Sequence, residues 1–289
     1  MSVKQEKEKR YSLAKETFTR LMKNKLAVFG LIVLCVLVLT AIFADQIAPY
    51  TYDEMDFLNA YQPPCKGHIF GTDEFGRDIF SRVVYGSRIS LKVGFIAVSI
   101  AVVAGGLLGA VAGYYGGWTD NLIMRAMDVI MSIPATLLAI SIAAALGAGL
   151  TNLMIATGIA SIPTYARIVR ASVLGIKEQE FVEAARAVGT RDFTILRKHI
   201  LPNCLAPIIV QATLGVAFAI LTAAGLSFIG LGIEPPTPEW GAMLSNARAY
   251  IRDYSYMCLF PGLAIAITIF SLNVLGDGLR DALDPKLRQ

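Results

Sequence analysis

The sequence predicts an all-α polytopic membrane protein with six transmembrane helices, and three observations lead there. Of its 289 residues 55% are hydrophobic and only 17% charged, and the mean hydropathy of +0.57 lies outside the range of soluble domains. Six apolar runs carry no charge, as membrane-spanning helices require. Lys and Arg gather in alternate connecting segments, the pattern of a chain that threads back and forth through a bilayer.

The first run, 26–44, covers about 28 Å at ~1.5 Å per residue, close to the hydrocarbon thickness. It continues into Asp45 and Gln46 without the small-residue cut site of a signal peptide, so it is expected to stay as an anchor. Before it, residues 1–25 form a basic tail in which Leu13, Thr17 and Leu21 would share one helical face, as an interfacial helix or a solvated leader. The other runs cover 93–112, 129–150, 152–166, 207–231 and 257–275. The fourth is short and contains Pro163, which helices buried among other helices tolerate.

The basic residues orient the chain. The tail carries Lys4, Lys7, Lys9, Arg10, Lys15, Arg20, Lys23 and Lys25, and the segment 167–203 brings Arg167, Arg170, Lys177, Arg186, Arg191, Arg197 and Lys198. Arg280, Lys286 and Arg288 close the chain, whereas in the loop 45–90 acidic groups outnumber Lys66, Arg77, Arg82 and Arg88. Both termini and the segment 167–203 are therefore expected on the cytoplasmic side.

Small residues recur every fourth position in the second run, at Ala101, Gly105, Gly109, Gly113 and Gly117, a stripe on which another helix backbone can approach closely. Ala135, Ala139 and Ala143, and then Gly215, Ala219 and Ala223, repeat the pattern, so a packed bundle is expected. Met124, Met127 and Met131 read as packing residues, and Arg125 and Asp128 as a neutralising pair. Cys35, Cys65, Cys204 and Cys258, and His68 and His199, lack the spacing of a metal or redox site.

Several engines are absent. No G-x-x-x-x-G-K-[ST] loop for ATP phosphates occurs, no acidic residue sits near the centre of a run as an ion-coupled carrier would use, and no Ser-His, Cys-His or HExxH constellation supports catalysis. The chain reads as a non-enzymatic pore whose energy comes from a partner, with an ion-coupled carrier or membrane scaffold as the alternative.

The stretch "EFVEAARAVGTRDF", 180–193, is a polar island between apolar runs. Phe181, Ala184, Ala185 and Val188 follow i, i+3, i+4, i+7 spacing and predict an amphipathic helix. Gly189 suits a left-handed helix end, and Asp192 is placed to cap a second helix with Phe193, Leu196 and Ile200 on its apolar side. Ala184 and Ala185 would let the rod enter a groove on another protein.

"EAARAVG" at 183–189 with "HILP" at 199–202 resembles the E-A-A-x3-G-x9-I-x-L-P loop of permease subunits in ABC importers, His199 standing where the general pattern has Ile. "RKHILPN" at 197–203, "FGTDEFGRDIFSRVVYGSRISL" at 70–91, "LSFIGLGIEPPTPEWGAML" at 226–244 and "PGLAIAITIFSLNVLGDGLRDALDPKLR" at 261–288 resemble the C-type permeases of the dipeptide, oligopeptide and nickel branch.

The resemblance implies a type I ABC importer transmembrane fold with a cytoplasmic coupling helix. Its divisions would be a cytoplasmic tail at 1–25, a first helix and outer loop at 26–85, a transmembrane domain at 86–276 with the coupling loop at about 177–203, and a cytoplasmic tail at 277–289. The implied partners are a second homologous permease, two ATPase subunits that hold ATP and Mg, an extracytoplasmic solute-binding protein and the lipid bilayer, with no cofactor on this chain. Glu183, Ala184, Ala185, Gly189, Ile200, Leu201 and Pro202 would form the ATPase-docking surface. Asp73, Arg77, Asp78 and Trp240 are candidate contacts for the binding protein, or braces for the outer helix ends. The cargo would be di- or oligopeptides, with nickel as the alternative.

Overall fold

The computed structural model describes residues 15–283, so Leu13 of the basic tail and the C-terminal Lys286 and Arg288 lie outside the described residues. Each of the six predicted runs is helical over most of its length, though not every one as a single helix. Helix α1, Lys25–Ile42, starts at Asn24, whose side-chain oxygen accepts from the Leu26 and Ala27 amides at 3.1 and 3.2 Å. It leaves Phe29, Ile32, Val36 and Leu39 exposed, as a lipid-facing helix does. It touches the bundle through Gly30, where a Cβ would stand 2.7 Å from the Ser271 carbonyl.

Helix α2, Ile79–Tyr115, is 37 residues long and pairs along its length with α5, Leu150–Lys177. The stripe of small residues is the seam between them. A Cβ at Gly105 would lie 2.5 Å from the Ile162 carbonyl and one at Gly109 2.2 Å from that of Ala166. Gly117 does not belong to the seam: α2 ends at Gly116, which has a φ of 65°, and a Cβ at Gly117 would meet nothing.

The run expected as one helix over 129–150 is instead two, α3 at Gly117–Met131 and α4 at Ala135–Leu146, bent by 84°. Pro134 explains the break, since it has no amide hydrogen and forces Ile133 out of helical geometry. Ala139 and Ala143 are fully buried against Leu153, Met154 and Ala156, while Ala135 stays exposed. The expected Arg125–Asp128 pair is also replaced. Asp128 reaches Arg167 on α5 at 2.6 Å, and Asp120 accepts two bonds from Arg170 at 2.5 and 2.6 Å, so both carboxylates of α3 serve α5.

Among the described residues, four helices and the bent pair have the length and apolarity of a span. Helix α5 has the length but carries Thr157, Ser161, Thr164, Arg167 and Arg170. It runs unbroken through Pro163 and well past the expected 152–166. Its enclosure, with Leu153, Tyr165, Val169 and Val173 buried, explains the modest hydropathy.

Helix α6 is the island rod, Glu180–Ala187. Helix α7, Leu205–Phe228, presses Gly215 onto Tyr165, with Ala219 and Ala223 buried as the stripe suggested. Helix α8, Trp240–Ala247, lies at the end of the bundle away from the island, and α9, Tyr256–Leu283, packs on α1, α7 and α8.

Candidate functional site

The four residues considered for binding-protein contact, Asp73, Arg77, Asp78 and Trp240, are all buried. The Asp73 carboxylate accepts from the Arg77 amide at 3.0 Å and its Nε at 2.6 Å. Asp78 caps α2 by accepting from the Ser81 amide at 2.7 Å. The Trp240 indole donates to the Val83 carbonyl at 3.0 Å and fills the space left by Gly86. Arg82 links two loops, donating to the Tyr52 carbonyl at 2.6 Å and that of Pro236 at 3.3 Å. These side chains brace the helix ends on this side of the bundle. Burial raises the Glu74 carboxyl above its ordinary range, and burial does the same to Glu239, which caps α8 through the Gly241 and Ala242 amides. Phe57 and Leu58 are exposed nearby, among the exposed charged groups Asp53, Glu54, Asp56 and Lys66.

At the other end of the bundle the island forms a compact unit. Helix α6 stops at Gly189, whose φ is +78°, with the Thr190 amide donating to the Ala185 carbonyl at 3.1 Å and the Gly189 amide to that of Arg186 at 2.9 Å. This is the Schellman closure that a left-handed glycine permits. Asp192 does not cap the following turn, Asp192–Ile195; it accepts from the Tyr114 hydroxyl at 2.6 Å. The chain then passes through a π turn, Leu196–Ile200, and a 3-10 turn, Leu201–Cys204, before α7 begins. Pro202 sits in the 3-10 turn, where its missing amide hydrogen costs no α-helical bond.

The rod is rotated relative to the face expected from its spacing. Val182 and Ala185 are the buried pair, set in a cluster with Tyr114, Val169, Val173, Ile195 and Ile200. Phe181, Ala184 and Val188 are exposed, as is Phe193, which was expected on the apolar side of the second helix. The reason lies in two adjacent faces both carrying apolar side chains: Val182 and Ala185 root the rod on α2 and α5, leaving Phe181, Ala184 and Val188 exposed among the described residues. Of the docking residues read from the motif, Glu183 and Ala184 stand at the surface and Gly189 shapes the turn. Ala185 and Ile200 are buried under them, while Leu201 and Pro202 are half-buried.

Tyr114 and Val182 were not singled out from the sequence. Tyr114 holds the island twice, through Asp192 and through the Arg186 guanidinium 5.5 Å above its ring. Its signal was available, since "GYY" ends the small-residue stripe at the point where the seam reaches the island. Among the described residues no group of His, Cys, Asp and Glu could hold a metal ion.

Comparison with known proteins agrees with this geometry. Residues 105–289 match the family model "Binding-protein-dependent transport system inner membrane component", and residues 12–64 match "N-terminal TM domain of oligopeptide transport permease C". The dipeptide transport system permease protein DppC of Alkalihalophilus pseudofirmus is 51% identical over 95% of this chain and 90% of its own length. The glutathione transport system permease protein GsiD of Escherichia coli O157:H7 is 48% identical over 94% and 90%. A solved structure of the MetNI methionine ABC transporter in inward-facing form shares the fold, with a TM-score of 0.56 at 19% identity over 70% of this chain and 97% of that one. The chain belongs to the inner membrane component family of binding-protein-dependent transport systems, as a C-type permease of an ABC importer.

Proposed function

We propose that the chain forms half of the translocation pore of an ATP-driven importer of short peptides, alongside a second homologous permease, two cytoplasmic ATPase subunits and an extracytoplasmic binding protein. The peptide assignment is supported by the two relatives, one named for a dipeptide and the other for glutathione, itself a short peptide. The observation that carries the coupling role is the exposed apolar strip of Phe181, Ala184 and Val188 on a rod rooted in α2 and α5. Such a strip on a charged segment is a surface for a protein partner.

In this reading both termini and the island lie in the cytoplasm, as the basic residues of the tail and of 167–203 favour. ATP, with its Mg, binds and is hydrolysed in the partner subunits. Their closure displaces α6, and the buried cluster around Val182 passes the displacement to α2 and α5. Because α2 continues unbroken from Asp78 of the outer brace to the island, its two ends move together, and the bundle alternates between two packings. Deleting the gene and measuring cellular uptake of a labelled dipeptide tests the assignment. Uptake should vanish and return on complementation; unchanged uptake of all short peptides tried would contradict the peptide cargo.

A further inference from the structure

A cleft of about 500 Å3 opens between α5, α7 and α9, within the size range of sites that hold small ligands. Thr164 of α5, Gln211 of α7 and Asn273 of α9 line it, beside Tyr165, Phe218 and Leu221. No Asp, Glu, Lys, Arg or His borders it. Thr164 and Asn273 are exposed and Gln211 is half-buried, and none of the three side chains makes a hydrogen bond to another described residue. The Ser161 hydroxyl, by contrast, is taken up by the Thr157 carbonyl at 3.0 Å, and the Tyr165 hydroxyl by the Gln211 carbonyl at 3.2 Å.

Unpaired amide and hydroxyl groups on three membrane helices are strongly disfavoured against lipid, so the surface they share must meet water, a polar solute or polar groups of another chain. Each carboxamide offers two donors and an acceptor, the complement of a peptide bond's carbonyl and amide hydrogen. The absence of charge leaves nothing that would select a charged peptide side chain or fix a charged terminus. We infer that this cleft is the chain's substrate subsite on the translocation path, and that Gln211 and Asn273 hydrogen-bond the main chain of the passing peptide while Phe218 and Leu221 flank its side chains without choosing among them. The inference rests on the peptide-import reading and adds to it a main-chain-directed, charge-indifferent subsite. It also joins the cleft to the island, because α5 carries Val169 and Val173 into the island's cluster and α7 follows directly from the 3-10 turn.

The test uses the complete transporter in proteoliposomes, with Gln211→Leu/Asn273→Leu compared with the unaltered chain. Initial ATP-dependent uptake is measured for Ala-Ala, Lys-Ala and Glu-Ala and for an Ala-Ala analogue methylated at the peptide nitrogen. The unaltered transporter should prefer Ala-Ala to the methylated analogue. The double variant should lose at least 10-fold in uptake by a similar factor for the three dipeptides, and its preference over the methylated analogue should shrink; Gln211→Asn should restore part of it. An unchanged preference in the double variant overturns the inference, as does a loss confined to Lys-Ala or Glu-Ala. Dissociation of the second permease from the double variant also overturns it, because the amides would then be interface groups. If the unaltered transporter imports none of the dipeptides while its subunits assemble, the peptide reading itself fails.

Discussion

The Tyr114 hydroxyl donates to the Asp192 carboxylate at 2.6 Å, joining the C-terminal end of a 37-residue membrane helix to the polar island that follows α5. Residues 78 positions apart in sequence thereby become one mechanical unit. The same ring lies under Arg186, so α6 and the turn after it are both tied to α2.

Removing that hydroxyl should loosen the island without unfolding the bundle. Hydrogen bonds to charged groups contribute ~1.5–3 kcal/mol, and an exposed carboxylate such as Asp192 places this one at or below the low end. Tyr114→Phe is expected to raise amide hydrogen exchange across 180–200 about fivefold or more, and to lower the solute carried per ATP hydrolysed. Unaltered exchange there would show that the contact does not hold the island.

Gly189 is required by conformation, since a Cβ there would meet no atom but its φ is +78°. A left-handed backbone costs a residue with a side chain roughly 1–2 kcal/mol, and a β-branched one more. Gly189→Val should abolish uptake while membrane insertion and protein amount stay normal. Uptake at the unaltered rate, measured in vesicles with equal amounts of protein, would remove the turn from the mechanism.

The seam between α2 and α5 gives a prediction about stability. A side chain at Gly109 would drive into the Ala166 backbone, whereas one at Gly106 would come no closer than 4.0 Å to Val169. Overpacking typically costs 1–3 kcal/mol and can cost more against backbone. Gly109→Leu should therefore fail to give a monodisperse species in detergent chromatography, and Gly106→Ala should behave as the unaltered protein.

Orientation is open to chemical labelling. With Thr190→Cys in a chain freed of its own accessible thiols, a membrane-impermeant maleimide should react only from the cytoplasmic face. Reaction on intact cells would reverse the assignment drawn from the basic residues.

Much of this fold was legible because membrane helices announce themselves by apolar length and small-residue spacing. The stripe through Gly105 and Gly109 marked a face for close helix approach, and the structure shows α5 to be the helix that fills it. The bend at Pro134 was not foreseen, because an uncharged run reads as continuous even where proline breaks it. Arg125 was matched to Asp128 through sequence proximity, yet Arg167 and Arg170 on a neighbouring helix took both acidic partners. The island's inner face was misjudged by about one residue, because a rod with one face rooted and another left for a partner is apolar on both. The polar groups of the loop before α2 looked like surface, but Asp73 and Arg77 are buried by pairing with each other.

The rotation of α6 decides how the coupling role is best probed. Ala185→Trp would force a large ring into the cluster around Val182 and disturb the island itself, whereas Ala184 is exposed and its replacement alters only the outer strip. The most direct measurement is ATP-dependent dipeptide uptake by proteoliposomes holding the complete transporter, with Ala184→Trp set beside the unaltered chain and ATPase binding followed by co-purification. The expected result is an uptake reduced at least 10-fold together with loss of the ATPase from the purified complex. Full uptake with the ATPase still bound would contradict the assignment of this strip as the surface through which the pore is driven.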